Sequence, residues 1–368
     1  MKPVLIAIVV LHGLIHLMGF VKGFGLAPVA ALKLAIGPGL GVLWLTAALL
    51  FLVAAGLLAL GKEAWWIVGL PAVVLSQVLV VLAWSDAKFG TLPNVLILLP
   101  LVVSVATALP GSLRSRYRRE AAAAVRSLPE SSPMITQADL DALPAPVARY
   151  VARSGALGKP RILGFSTDYE GRFRNGFDAP WMRFSSTQVN VIEPSSRRFL
   201  MEASLYGLPM TGLHRFVGDE ARMQIRVASL VEVVNAAGPK MRQGETVTVF
   251  NDLCVMAPAA LIGAPVEWSV LGEGVVQGRF TRDGVTISAV LHFDAAGDLV
   301  DFVSGDRYFT ADGKETIPLP WRTPTSDYRW YGPVRLPGTG RLIWQRPSGD
   351  FQYGEFHLKR VRYYPSWD

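Results

Sequence analysis

Hydrophobic and polar positions follow two regimes along this chain. Over the first third the apolar residues are continuous. Four stretches, 3–21, 34–61, 64–85 and 89–113, run without a single charge. A helix needs roughly 20 such residues to cross about 30 Å of hydrocarbon. Each stretch supplies them, the first only just. Trp65, Trp66 and Trp84 fall at the ends of the third stretch, where amphipathic rings favour the headgroup region, and Pro71 lies inside it. From about residue 161 the period changes to two. In Arg198–Leu205, Phe199, Met201, Ala203 and Leu205 share one face and Arg198, Glu202 and Ser204 the other, with Leu200 the exception. Met223, Ile225 and Val227 alternate in the same way, as do Val285, Ile287, Ala289, Leu291 and Phe293. Such alternation marks half-buried strands. Turn signals separate them at Arg282-Asp-Gly284, Ala296-Gly-Asp298, Ala311-Asp-Gly313 and Pro347-Ser-Gly349.

The expected fold is therefore a membrane α-helical half of four helices joined to an α+β soluble domain. The soluble part is a large, curved antiparallel sheet of about ten strands, a half-barrel, wrapped on one or two helices. Segment 1–113 forms the membrane region. Segment 114–135 is a basic juxtamembrane helix and linker, closed by Leu128-Pro-Glu-Ser-Ser-Pro133. Segment 136–368 is the β-rich domain. It opens on a capping box, Thr136-Gln-Ala-Asp139, and a helix near Pro146 with Val147, Tyr150 and Val151 on one face. Segment 244–262 interrupts the strands with a helix-like pattern that includes Phe250 and Cys254. A mostly apolar helix inside a meander must cover the open face of the sheet.

Composition sharpens this division. Charged residues make up 18% of the 368 residues, yet residues 1–113 contain only Lys2, Lys22, Lys33, Lys62, Glu63, Asp86 and Lys88. The remainder is compositionally an ordinary soluble domain, which excludes a disordered or fibrous chain. The net charge of +7 is too thinly spread to support nucleic-acid binding. The single cysteine, Cys254, excludes an internal disulfide and a multi-cysteine metal site. Basic residues cluster only at Arg114, Arg116, Arg118 and Arg119. With four spans, that cluster, Lys2 and Lys62 share one side, and Lys22, Lys33 and Lys88 the other. The positive-inside rule then places the protein in a bacterial inner membrane with both termini and the soluble half in the cytoplasm. Cleavage or failed insertion of the first stretch would move that half outside.

The segment Leu143-Pro-Ala-Pro-Val-Ala-Arg-Tyr-Val-Ala-Arg-Ser-Gly-Ala-Leu-Gly-Lys-Pro160 resembles the opening of an uncharacterised bacterial family of unknown function. Asn235-Ala-Ala-Gly-Pro239, Gln243-Gly-Glu245, Ala257-Pro-Ala-Ala-Leu261 and Gly349-Asp-Phe-Gln-Tyr353 are similar to it too. The resemblance covers about 140–365 and names no chemistry. Some members are similar in carrying N-terminal membrane helices, with a segment like His16-Leu-Met-Gly-Phe-Val-Lys22. The strand-and-covering-helix pattern also resembles the half-barrel of LolA-type lipoprotein carriers. That resemblance implies an apolar ligand and an extracytoplasmic location, against the charge rule.

Motifs that spell out a reaction are missing: there is no HExxH, cysteine pair, P-loop or GxSxG. No cofactor or metal is expected, and an enzyme is the less favoured class. His12 and His16, four apart on one helix face, are the odd residues of the apolar half. They could hold a metal or a quinone, relay protons, or simply hydrogen-bond to neighbouring helices. Glu245 reads as a helix cap in the first turn of the covering helix, with Asp252 seven residues on along a similar face; buried together they could serve acid–base work. His214, His292 and His357 are scattered. The preferred function is a membrane-anchored binding protein that holds a lipid or other apolar ligand. Its lining would be Phe199, Met201, Leu205, Met223, Ile225, Phe250 and Cys254. The alternatives are a membrane-tethered module for a protein partner and a membrane redox protein using His12 and His16.

Overall fold

The computed structural model of the chain describes residues 2–205, 207–310 and 316–367, with Leu205 described by its backbone alone. The expected turn at Ala311-Asp-Gly313 lies outside the described residues. Two compact units make up the chain, Met1–Ser112 and Leu113–Asp368.

The first unit holds α1 (Lys2–Gly23), α2 (Pro38–Ala59), α3 (Trp65–Leu82), the single turn α4 (Trp84–Ala87) and α5 (Thr91–Ala108). Helices α1, α2 and α3, and the helical stretch that starts at Trp84, are long and apolar enough to cross a membrane. Large apolar side chains such as Leu11, Ile15, Leu49, Val53, Val74 and Val78 point outward and are about half exposed or more. Val9, Phe51, Ala54, Ala72, Ile97 and Leu101 fill the interior. Glycine lets α1 and α2 approach closely. A Cβ at Gly19 would lie 2.2 Å from the Trp44 ring, and one at Gly13 would lie 2.9 Å from Phe51 Cβ. Small residues at such contacts are how helices pack when lipid removes the hydrophobic drive between them.

The second unit begins with α6 (Leu113–Arg126), α7 (Gln137–Asp141) and α8 (Ala145–Arg153). Strands β1 (Gly164–Phe173), β2 (Met182–Val191), β3 (Ser196–Leu205), β4 (Leu208–Val217), β5 (Glu220–Val227) and β6 (Val231–Ala237) follow. Then comes α9 (Pro239–Met256). The chain continues through β7 (Val266–Gly272), β8 (Val275–Arg282), β9 (Val285–Phe293), β10 (Leu299–Ser304), β11 (Tyr308–Phe309) and β12 (Ile317–Pro318). It ends with β13 (Trp321–Arg322), β14 (Thr325–Tyr331), β15 (Val334–Arg346) and β16 (Gly349–Tyr364). Fourteen strands form one antiparallel sheet, ordered β6-β5-β4-β3-β2-β1-β16-β15-β13-β10-β9-β8-β7, with β14 on β15. The sheet is not closed: β6 and β7 are the two ends of its path, and β14 pairs with β15 alone. It has more strands than alternation suggested. Two-residue strands such as β13 carry no period, so only their ladder partners reveal them.

The curvature of the sheet follows from what α9 touches. This helix contacts β5 and β6 at one edge, β9 and β10 near the other, and β15 between them. In a flat sheet β5 and β9 would lie roughly 40 Å apart, at about 4.8 Å per strand. A helix is only about 10–12 Å across, so the sheet must curl around it. At one end the two arms meet. The Arg282 guanidinium lies 3.4 Å from the centre of the Phe216 ring, and Arg282 donates to the carbonyls of Ser195 and Gly218 in the β2–β3 and β4–β5 turns. Asp283 and Gly284, at φ 48° and 78°, make the two-residue β8–β9 turn, whose left-handed backbone is the reason for glycine there.

Helix α9 starts at Pro239, after Gly238 at φ 104°, five residues before the start expected at Gly244. Proline suits the first turn because its missing N–H would be unpaired there anyway. Its other end is buried, yet two of its last carbonyls are satisfied: Tyr150 Oη donates to Cys254 O at 2.8 Å and Tyr363 Oη to Met256 O at 2.7 Å. The Thr136–Asp139 capping box forms as read from the sequence. Helix α6 does not run as a free spacer. Its Leu113, Tyr117 and Ala121 pack on Val189, Leu200 and Leu213, on the outer face of β2–β4. This explains why Leu200 breaks the alternation. Two arginines of the basic cluster turn to the sheet: Arg114 Nε donates to Glu202 at 2.7 Å and Arg116 Nη1 to Gln224 at 2.8 Å.

Candidate functional site

The site lies between α9 and the inner face of the sheet. One face of α9 carries Phe250 and Cys254, both fully buried in the main core. Phe250 stacks on Phe280 at 5.2 Å between ring centroids. The opposite face carries Glu245, Thr248, Asp252, Val255 and Met256, spaced three and four apart, so they align along the helix. Facing them is a cavity of about 200 Å³ whose sheet-side lining includes Tyr169, Phe173, Phe199, Met201, Leu342 and Phe356.

One end of this apolar cavity is polar. Arg197 precedes Phe199 by two residues on β3 and so points the same way. Its Nη1 donates to Glu245 Oε2 at 3.0 Å and its Nε to Asp252 Oδ2 at 2.7 Å. All three side chains are at most 7% exposed. Gln188 and Asn190 of β2 add donors to Asp252 Oδ2 at 2.6 and 3.0 Å, and Gln188 Oε1 accepts from Arg197 Nη2 at 3.2 Å. His214 Nδ1 stands 3.4 Å from Glu245 Oε1. Burial works against ionisation of Glu245, but the Arg197 guanidinium and His214 outweigh it and bring its carboxyl down to about 2. At Asp252 burial prevails over the same guanidinium, and its carboxyl is pushed up. A buried charge without such partners would cost several kcal/mol. The network is thus the condition for placing any charge at this depth.

Of the sequence candidates, Phe199, Met201, Glu245 and Asp252 meet in this cavity. Phe250 and Cys254 are core. Burial and the neighbouring Asp252 push the Cys254 thiol well up, which removes it as a nucleophile. Met223 and Ile225 are part-buried on β5 and do not line the cavity; the Leu205 side chain lies outside the described residues. Glu245 sits beyond the first turn of α9, because the helix begins earlier than expected. It binds Arg197 and is not a cap. Arg197, Gln188, Asn190 and Arg307 escaped the sequence reading. The available signal was a polar residue two positions before Phe199 on the lining face. Arg307 lies over the Trp321 ring at 4.3 Å and also lines the cavity. Among the described residues, no group of three or more His, Cys, Asp or Glu could hold a metal ion.

In the first unit, His12 and His16 are both buried, at 3% and 1% exposure. His12 Nε2 donates to Asn94 Oδ1 at 2.8 Å and lies 3.1 Å from Ser76 Oγ. Asn94 Nδ2 passes the chain on to Gln77 Oε1 at 3.0 Å. His16 Nδ1 donates to the carbonyl of His12 at 2.8 Å.

Fold and site together describe an open antiparallel sheet curled on one buried helix, with an apolar cavity ending in a buried ion-pair network. The chain belongs to DUF6544, a family of unknown function whose match spans residues 133–356. Two solved structures are similar to it in part. One is a DUF1329 family protein from Desulfovibrio piger, with TM-score 0.37 and 9% identity over 63% of this chain and 94% of that chain. The other is a putative outer membrane lipoprotein-sorting protein domain from Vibrio parahaemolyticus, with TM-score 0.30 and 10% identity over 54% of this chain and 85% of that chain. No curated protein matches the chain.

Proposed function

We propose that this is a membrane-anchored binding protein whose β unit holds an apolar ligand bearing one polar group. The observation that carries the reading is the cavity beside α9: an aromatic, aliphatic and methionine lining that ends at the Arg197–Glu245–Asp252 network. A cavity that merely completed a core would have no use for buried charges at one end, whereas a binding site uses a few placed polar groups to orient an otherwise apolar guest. About 200 Å³ exceeds the 150 Å³ that accommodates benzene, so the guest inserts one ring or one acyl chain. The four apolar helices are the anchor, and the positive-inside rule assigns the β unit to the cytoplasmic side.

The test uses the full-length protein in detergent and a diazirine-bearing dodecanoic acid. Crosslinks are expected on peptides containing Phe199–Met201 and Val255–Met256, and Met201→Trp, which fills the cavity, is expected to abolish them. Equal crosslinking of that variant, or crosslinks confined to the four helices, would refute the reading.

A further inference from the structure

A second cavity, of about 490 Å³, lies within the helical unit, against α1 and α2 and the segment around α4. Both histidines line it, with Trp44, Ile15, Phe89 and Pro93 among its other walls. His16 Nδ1 donates to the His12 carbonyl, which can only accept. In the neutral ring that bond fixes the tautomer and leaves Nε2 with a bare lone pair. Nε2 is fully buried and has no hydrogen-bond partner. Likewise His12 Nε2 donates to Asn94, and His12 Nδ1 is buried and unpartnered. The two rings meet edge to face at 4.7 Å. Two buried acceptors at one cavity are costly unless something donates to them. A water between the two nitrogens would have only these two polar partners, the minimum for a buried water, and would leave most of the cavity unfilled. The remaining ionisable group, Asp86, is already committed to the amides of Lys33 and Leu34 and to Ser85. A donor carried on an apolar body would both satisfy a histidine nitrogen and fill the apolar remainder of the cavity.

We propose that this cavity binds a lipid-phase molecule with a flat, phenol-type head, whose hydroxyl donates to His16 Nε2 once a small rotation of the ring turns that nitrogen into the cavity. The aromatic walls select the flat head: Trp44, whose ring lies 5.1 Å from that of His16, centroid to centroid, and Phe89 both line the cavity. Entry from hydrocarbon rests on the membrane reading above, but binding itself does not, and it concerns a different cavity from that of the β unit.

The test is calorimetric titration of the full-length protein in detergent with 2-prenylhydroquinone and, separately, with its dimethyl ether. The ether keeps the shape and loses the donors. The hydroquinone is expected to bind saturably, and the ether at least about tenfold more weakly, the equivalent of one hydrogen bond. His16→Phe keeps an aromatic ring without the acceptor and is expected to show the same loss. No saturable binding of the hydroquinone, equal affinity for the ether, or undiminished binding by His16→Phe would overturn the proposal. If that variant does not fold, the comparison of hydroquinone with ether on the unaltered protein decides.

Discussion

Replacing Arg197 with Met removes the guanidinium while keeping most of the stem. Glu245 and Asp252 then remain at 4% and 3% side-chain exposure with no cation between them. In the intact network the Glu245 carboxyl is brought from 4.5 to about 2. At 1.36 kcal/mol per unit, that difference corresponds to about 3 kcal/mol of stability near neutral pH. Removing one partner of a buried pair typically costs 3–5 kcal/mol, in agreement. The sign gives the prediction its pH dependence. A depressed carboxyl stabilises the fold above its unfolded pKa, and that contribution disappears as pH falls from 4.5 toward 2. Asp252 is shifted upward, so its burial costs stability as pH rises above 3.8, and losing Arg197 enlarges that cost. Both effects make the deficit of Arg197→Met largest near neutrality and smallest in acid. Urea unfolding of the full-length protein in detergent, followed by its β-sheet circular dichroism, is expected to show a loss of about 3–4 kcal/mol near pH 7 that shrinks below about pH 4. The triple variant Arg197→Met, Glu245→Gln, Asp252→Asn is expected to regain most of it. An equal deficit at both pH values would refute the reasoning. It would show that the loss comes from packing over Phe199, where the guanidinium sits 4.9 Å from the ring centroid, and not from charge.

Leu200→Ala should cost about 2–5 kcal/mol in the same unfolding assay, because Leu200 is 3% exposed beneath α6; a loss below about 0.5 kcal/mol, the range of an unremarkable surface substitution, would mean that α6 is not docked there. Asp298 is hydrogen-bonded by Arg335 and Arg153, which hold its carboxyl at about 2. Asp298→Asn should therefore lower the unfolding midpoint near pH 7 and match the unaltered protein near pH 2, a difference that a pH series of melts would read.

The two end strands of the sheet's path leave apolar side chains exposed. Val231 and Val233 on β6, and Val270 and Leu271 on β7, are all more than half exposed. These two strands flank α9 in the chain, β6 before it and β7 after it, and they end the path of the sheet that curls around that helix.

Most of the architecture follows from the order of side chains along the chain. Continuous apolar runs determine four helices of membrane-crossing length, because hydrocarbon thickness sets a length and a composition that local sequence must meet. Period-two alternation determines strands, and Thr136–Asp139 and Asp283–Gly284 determine their cap and turn, because each acts within a few residues. The site was only half legible. Phe199 and Met201 lie on the lining face by alternation, and Glu245 and Asp252 share a helix face by their spacing. Their meeting with Arg197, 48 and 55 residues away along the chain, was not legible. Neither was the role of Leu200, whose partner helix comes from before the first strand. Sheet curvature decides the first, set by which strands reach α9, and the docking of α6 on the outer face decides the second; both are properties of the packed whole. The same holds in part for His12 and His16: their spacing placed them on one face and lets His16 bond the His12 carbonyl within α1, but only Ser76 and Asn94 of other helices decided which nitrogen of His12 is used.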